Sequence, residues 1–112
     1  MKRNINAIKK ELIKNLQPIS PLKVILFGSY AYGSPKEESD IDLYVVTKDD
    51  FIPKDYQEKR QLVRRVSKQI ESLREKIAID LLVHTKAMNE KFYKMKSSFA
   101  NEIESKGEII YE

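Results

Sequence analysis

Three aspartates and a Gly-Ser pair are the residues of this chain whose types and spacing could support chemistry. Gly28-Ser29 ends an apolar run, ten residues follow, and Asp40 and Asp42 then flank a single isoleucine. Asp80 lies inside a later apolar run, where an unpaired carboxylate would be energetically costly. Three acids in these surroundings are hard to explain as solvated surface. Their arrangement predicts a site that handles a nucleoside triphosphate together with a divalent metal ion.

Asp40 and Asp42 fall on the same face of a predicted strand, because strand side chains alternate between the two faces. They would lie about 6 to 7 Å apart along the strand. Two such carboxylates can bracket one divalent ion or contribute to two, and hard oxygen ligands favour Mg²⁺ or Mn²⁺. An Asp-x-Asp pair is also common on exposed strands, so this pair alone is a weak signal.

Gly28 would let the chain turn sharply at the end of its strand and approach a ligand closely. If a helical turn begins at Ser29, its free backbone N–H groups and the serine hydroxyl could bind a phosphate. The alternative is an ordinary turn followed by a helix cap.

Asp80 is predicted to lie on the strand face opposite Ile79 and Leu81. If that face adjoins the Asp40 face, three carboxylates converge and repel one another unless divalent cations offset their charge. Asp80 could then bind a metal ion or accept the proton of an attacking hydroxyl. It could equally be a strand acid paired with Arg or Lys, or one at a sheet edge. Together the three features suggest in-line attack on an α-phosphate, which is nucleotidyl transfer.

The elements that must position these groups alternate between amphipathic helices and short β-branched strands, as in an α/β (α+β) domain. Met88, Phe92, Met95, Phe99 and Ile103 keep helical spacing, and the stripe that begins with Met88 and Phe92 is predicted to be core. The predicted elements are a helix through Ile5–Leu16, strands at 22–27 and 40–46, a long helix from Asp55 to Glu75, a strand at 77–83, one helix or two broken near Ser97, and a terminal strand at 108–111.

Composition limits the class of protein further. The 112 residues suit one domain spanning 1–112, and the 41% hydrophobic and 34% charged content indicates a globular chain. The absence of cysteine excludes thiolate catalysis and Cys-ligated zinc. A net charge of +4 would attract an anionic nucleotide or an acidic protein but is too small to argue for nucleic acid. No apolar stretch approaches the ~18 residues that span a bilayer, so we expect a cytoplasmic protein without membrane contact.

Three further groups of residues permit more than one interpretation. His84, the only histidine, is predicted to be a strand-end or surface residue and not a catalytic one. A basic cluster on the long helix is either a solvated face or a docking surface for an acidic partner. Three tyrosines near the predicted crevice could stack on a base or fill space. The basic cluster is Arg60, Arg64, Arg65 and Lys68, and the tyrosines are Tyr30, Tyr32 and Tyr44.

The pattern Gly28-Ser29, ten residues, Asp40-Ile41-Asp42, with Asp80 in a later strand, resembles the nucleotidyltransferase family of the DNA-polymerase-beta superfamily. The short chain is similar to the minimal nucleotidyltransferases (MNT), antitoxins usually paired with a HEPN-domain toxin. The resemblance implies a small mixed sheet backed by helices, with Asp40, Asp42 and Asp80 as catalytic metal ligands for Mg²⁺ or Mn²⁺. It also implies that Gly28 and Ser29 hold the triphosphate of ATP.

The resemblance implies transfer of AMP from ATP to an acceptor hydroxyl. The acceptor that it implies is a hydroxyl on a cognate HEPN toxin. Many minimal members carry Arg where this chain has Tyr32, and the change removes one phosphate contact. Two alternatives stay open, and Tyr32 favours the first of them. One is a weakly active binding module that neutralises a HEPN partner by occlusion. The other is a small-molecule nucleotidyltransferase that acts as a homodimer.

Overall fold

A computed structural model of the chain describes residues 4–32 and 40–112. Within these ranges helices and strands alternate around one sheet, which confirms the predicted α/β class. The helices are α1 (Ile5–Leu16), α2 (Ser29–Tyr32), α3 (Tyr56–Gln69), α4 (Glu71–Arg74), α5 (Lys86–Lys94) and α6 (Ser98–Lys106), with a 3₁₀ turn at Gln17–Ile19; the strands are β1 (Lys23–Phe27), β2 (Ile41–Thr47), β3 (Ile79–Thr85) and β4 (Glu108–Tyr111).

The four strands form a mixed sheet in the order β3-β2-β1-β4. β1 runs antiparallel to both β2 and β4, whereas β2 and β3 are parallel. The parallel pair is joined by a crossover that contains α3 and α4, as such a pair requires. The small mixed sheet implied by the resemblance is thus confirmed.

One face of the sheet, which we call the α1/α3 face, carries the larger apolar core. α1, α3 and α4 direct their apolar stripes onto it, and alternate residues of β2 such as Ile41, Leu43 and Val45 meet them fully buried. The core of this face comprises Ile8, Leu12, Leu16, Val24, Leu26, Ile41, Leu43, Val45, Leu62, Val66, Ile70, Leu73, Ile79 and Val83.

The opposite face, which we call the α5/α6 face, is smaller and aromatic. Ile25, Tyr44, Val46 and Ile103 are buried there, and half-buried rings pack around them. Edge-to-face contacts join Tyr44 to Phe92 at 5.8 Å between ring centroids. Because strand side chains alternate, the aspartate of β2 shares this aromatic face and not the aliphatic one.

Helix starts follow the capping rules. The side chains of Asn4 and Asp55 accept hydrogen bonds from the backbone N–H three residues on, and Thr85 and Ser97 do the same for α5 and α6. The cap at Ser97 confirms that the last helical segment is two helices. It also explains why Met95, in the connection between them, is 70% exposed.

The prediction of one continuous helix from Asp55 to Glu75 is wrong. The chain leaves helical geometry at Ile70, whose φ and ψ are −111° and 17°. Ile70 and Leu73 both lie in the core of the α1/α3 face. A hydrogen bond of 2.6 Å from Arg74 Nη1 to Ser67 Oγ spans the break.

β3 begins two residues later than predicted and ends at Thr85. The register with β2 explains the shift, because Ile79 pairs with Ile41 and Thr85 pairs with Thr47. Thr85 is fully buried and caps the next helix, so strand and helix follow without a loop. No helix in the described part of the chain is both long and apolar enough to cross a membrane.

Candidate functional site

Asp42 and Asp80 face each other across the parallel strand pair. They are register partners of β2 and β3, and Phe27 of β1 is the partner of Asp42 on its other side. Paired residues of neighbouring strands project from the same face, so these three side chains form one row across the sheet. The sequence left open whether the strand face of Asp80 adjoins that of Asp42, and the register of β2 with β3 shows that the two faces adjoin.

Gly28, which directly follows β1, lies against the carboxyl of Asp42. Its φ is +75°, a left-handed conformation that L side chains rarely adopt. A Cβ at this position would overlap Oδ2 of Asp42, so the backbone approaches the carboxyl more closely than any other residue would allow. The helical turn α2 begins at the next residue, Ser29, which meets the condition set for phosphate binding by its backbone. Ala31 N–H donates to the Gly28 carbonyl at 3.0 Å and tightens this turn.

The electrostatics of Asp42 are unfavourable when its carboxyl is ionised. Burial raises the pKa of Asp42, and the neighbouring charges of Asp80 and Asp40, with a hydrogen bond to Asp80, raise it further. Among the ion pairs of the described residues, none joins a lysine or arginine to any of the three acids. Among the described residues, the three acids therefore form a concentration of negative charge to which no lysine or arginine is paired.

Asp42 and Asp80 are the closely paired acids, while Asp40 is exposed just before β2 begins. Across residues 4–32 and 40–112, no group of three or more His, Cys, Asp or Glu side chains is arranged to hold a metal ion. A pair of carboxylates still fits magnesium, which commonly binds through one or two of them and completes its shell with water and substrate phosphates. The three-acid cation site stays a prediction.

Two phenylalanines border the acids, and sequence reasoning did not single them out for function. Phe27 is the register partner of Asp42, and the ring of Phe99 meets it edge-to-face at 5.6 Å between centroids. Phe99 is 43% exposed. The position of Phe27 directly before Gly28 was a signal for it, whereas nothing in the sequence linked Phe99 to the acids.

His84 lies near the end of β3, as predicted, but it is half-buried and not a surface residue. Tyr44 Oη and His84 Nδ1 are 2.7 Å apart, and Asn89 Nδ2 donates to the same Tyr44 oxygen at 3.0 Å. Since the tyrosine oxygen accepts from Asn89, its hydroxyl hydrogen is free to donate to His84. Burial, followed by the charge of Lys59, lowers the pKa of His84 to about 4. His84 is thus a neutral acceptor in a closed network.

Of the three tyrosines near the predicted crevice, the two whose side chains are described fill space in the core. Tyr44 is fully buried and Tyr30 packs against the core of the α1/α3 face, so both fill space. The side chain of Tyr32 lies outside the part of the chain that is described. In the basic cluster of α3, Arg65 is paired with Asp49, while Arg60, Arg64 and Lys68 are exposed.

A family model described as "Polymerase beta, Nucleotidyltransferase" matches residues 6–112. This chain belongs to that nucleotidyltransferase family. The match spans the turn at Gly28 and all three acids, so the residues assembled above are those of a nucleotidyltransferase domain.

Individual relatives agree. The chain is 35% identical over 106 residues to "Putative protein adenylyltransferase MJ0141" of Methanocaldococcus jannaschii, covering 92% of this chain and 95% of the relative. Two solved structures share its fold. One is a toxin–antitoxin complex with AMP-PNP, with a TM-score of 0.55, 20% identity and coverage of 92% and 72%. The other is a tri-AMPylated Shewanella oneidensis HEPN toxin with its MNT antitoxin, with a TM-score of 0.50, 18% identity and coverage of 95% and 71%.

Proposed function

We propose that this nucleotidyltransferase transfers AMP from ATP, with Mg²⁺, to a hydroxyl group on a HEPN-domain partner protein, and thereby acts as an antitoxin. The observation that carries the proposal is the pairing of Asp42 with Asp80 beside the left-handed turn at Gly28. Partial burial and the neighbouring acids disfavour the ionised form of Asp42 in the ligand-free protein, and cation binding would relieve that cost.

Each residue has a role in this proposal. Asp40 and Asp42 hold the metal, and Gly28 and Ser29 hold the triphosphate. Divalent cations bound there would offset charge on the phosphoryl oxygens and on the departing pyrophosphate. Asp80 accepts the proton of the acceptor hydroxyl, whose oxygen forms a bond to the α-phosphorus. The bond from that phosphorus to the bridging oxygen breaks, and pyrophosphate leaves with the electron pair.

The acceptor is proposed to be a protein because of the chemistry in the names of the relatives. The 35% identical relative is named as a protein adenylyltransferase. In one structure of similar fold the HEPN toxin is itself AMPylated. Asp80 is exposed on an edge strand of the sheet, so a hydroxyl carried by another protein can approach it from solvent.

The test is transfer of label from α-³²P-ATP to the purified partner in the presence of magnesium. Wild-type protein should label the partner, and Asp40→Asn should reduce the rate by at least about 100-fold, in the range expected for lost stabilisation of transition-state charge. Asp50→Asn, which changes an exposed loop acid, is the matched control and should keep the wild-type rate. Absence of label with wild-type protein would contradict transfer. If the Asp40→Asn variant transfers no label and still fully inhibits the partner, neutralisation by occlusion is favoured.

A further inference from the structure

We propose that the exposed ring of Phe99, supported by Phe27, is the surface on which the nucleobase of the bound nucleotide stacks. This inference rests on the proposed function, because it assigns the nucleoside end of the same substrate. It adds a binding residue from α6, an element that supplies none of the acids or the phosphate-binding turn.

Asp42 and Asp80 together are called the acid row below. The two phenylalanines form a wall on one side of it. Phe27 pairs with Asp42 on β1, while Asp80 pairs with Asp42 on β3. α6 packs over β1 and brings Phe99 against Phe27, with 5.6 Å between ring centroids and 70° between ring planes. Asp42 is therefore bordered by aromatic rings on the β1 side and by the carboxylate of Asp80 on the β3 side.

The wall is rigid because it is the outer end of a continuous aromatic cluster. The ring centroids of Phe99 and Phe92 are 5.9 Å apart, and those of Phe92 and buried Tyr44 are 5.8 Å apart. Singly exposed apolar side chains are ordinary in proteins. Phe99 differs because two neighbouring rings fix it in place beside the acids while 43% of it stays exposed. A ligand that stacks on such a ring loses little affinity to side-chain ordering.

Chain order favours the nucleobase over the acceptor as the occupant. The proposed triphosphate site at Gly28 and Ser29 directly follows Phe27, so the phosphate end of a nucleotide and this wall adjoin. Asp80, the proposed base for the acceptor hydroxyl, lies two strand spacings from Phe27, about 10 Å. The acceptor would therefore approach from the β3 side and leave the aromatic wall to the nucleoside. Stacking on an aromatic ring accepts any base, so we expect weak discrimination among nucleotides.

The experiment compares the affinity for ATP with that for inorganic tripolyphosphate, each titrated calorimetrically into the full chain with magnesium. Tripolyphosphate has the phosphates and lacks the base. Phe99→Leu keeps an apolar side chain and removes the aromatic face, so ATP binding should weaken about 5- to 100-fold while tripolyphosphate binding is unchanged. Phe99→Tyr should retain the affinity for ATP. Tyr56→Ala, at an aromatic residue 75% exposed on α3, is the matched control and should alter neither affinity.

A second readout does not depend on removing the ring. The chain contains no tryptophan, so the Phe99→Trp variant would carry a single reporter. ATP should quench its fluorescence by stacking, and tripolyphosphate should not.

Unchanged ATP affinity in Phe99→Leu, or equal responses of the Phe99→Trp variant to both ligands, would overturn the stacking proposal. So would a change confined to the KM for the protein acceptor, since the ring would then belong to the acceptor site. If the wild-type chain binds neither ligand, the proposed function itself fails, which is distinct from a failure of Phe99 alone.

Discussion

Two adjacent groups of side chains on the α5/α6 face have opposite electrostatic character. Asp42 and Asp80 lie at the open start of the strands, and Tyr44 and His84 lie further along the same two strands. In the first group the charge of Asp80 disfavours the ionised form of Asp42. In the second group a hydroxyl, an imidazole and the amide of Asn89 satisfy one another within 3.0 Å.

The difference separates polar groups that are satisfied within the fold from acids whose charges repel one another. Buried polar groups in proteins are normally hydrogen-bonded, and the Tyr44 network obeys that rule. Asp42 differs, because burial and two neighbouring acids disfavour its ionised form and raise its pKa. Perturbed titratable groups concentrate at functional sites, so the raised pKa of Asp42 supports the site proposed for the acid row.

The largest effect is expected when a carboxylate of the acid row is removed. Asp42→Asn should lower AMP transfer at least about 100-fold, because a proposed metal ligand is lost. The same change should raise the thermal midpoint of the metal-free protein at pH 7 by a few degrees. A raised folded pKa means that Asp42 favours folding at low pH and that this contribution is lost as the pH rises through that pKa.

Activity assays and thermal unfolding in a chelator measure the two effects of Asp42→Asn. Asp50→Asn is again a suitable control, because that acid is exposed in a loop. If the metal-free variant proved less stable than wild type at pH 7, the interpretation of Asp42 as an electrostatically strained group would be wrong.

The next effect concerns the approach of the backbone to the acid row. Gly28→Ala places a methyl group on Oδ2 of Asp42 at a residue whose φ is +75°. We expect a loss of about 1–2 kcal/mol in the free energy of unfolding from the left-handed backbone alone, with displacement of Asp42 and loss of transfer. Urea denaturation measures the stability. Retention of both stability and activity would show that the close approach is dispensable.

Sequence periodicity predicted most of the fold because the apolar stripes are strong. The alternation of Ile41, Leu43 and Val45 against Asp42 and Tyr44 fixed which face of β2 meets the larger core. The juxtaposition of Asp42 with Asp80 was also predictable, since two alternating strands of one small sheet can place their acids on a common face.

Three features were beyond the sequence because they depend on tertiary packing. The break at Ile70 is marked by no Gly or Pro, and a hydrogen bond from Arg74 to Ser67 spans it. The burial of His84 depends on Tyr44, a partner 40 residues away. Likewise, the contact of Phe99 with Phe27 depends on how α6 crosses β1.

A smaller effect is expected from opening the satisfied network. Tyr44→Phe removes the hydroxyl and leaves His84 Nδ1 and the amide of Asn89 without that partner. The free energy of unfolding should fall by about 1–3 kcal/mol, while transfer activity at saturating ATP changes little. Denaturant unfolding and the labelling assay measure these separately. A variant that kept its stability but lost activity would reverse the distinction drawn between the two groups of side chains.

The smallest effect is a pH dependence that His84 introduces. Its pKa falls from 6.5 to about 4 on folding, so the unfolded chain binds a proton more readily between these values. The contribution of His84 to stability is therefore complete above about pH 6.5 and is lost as the pH falls toward 4. His84→Gln should flatten the decline of the thermal midpoint across this window, and wild-type protein measured in the same buffers is the reference. An equally steep decline in the variant would assign the acid sensitivity to other groups, and the histidine would then contribute only packing.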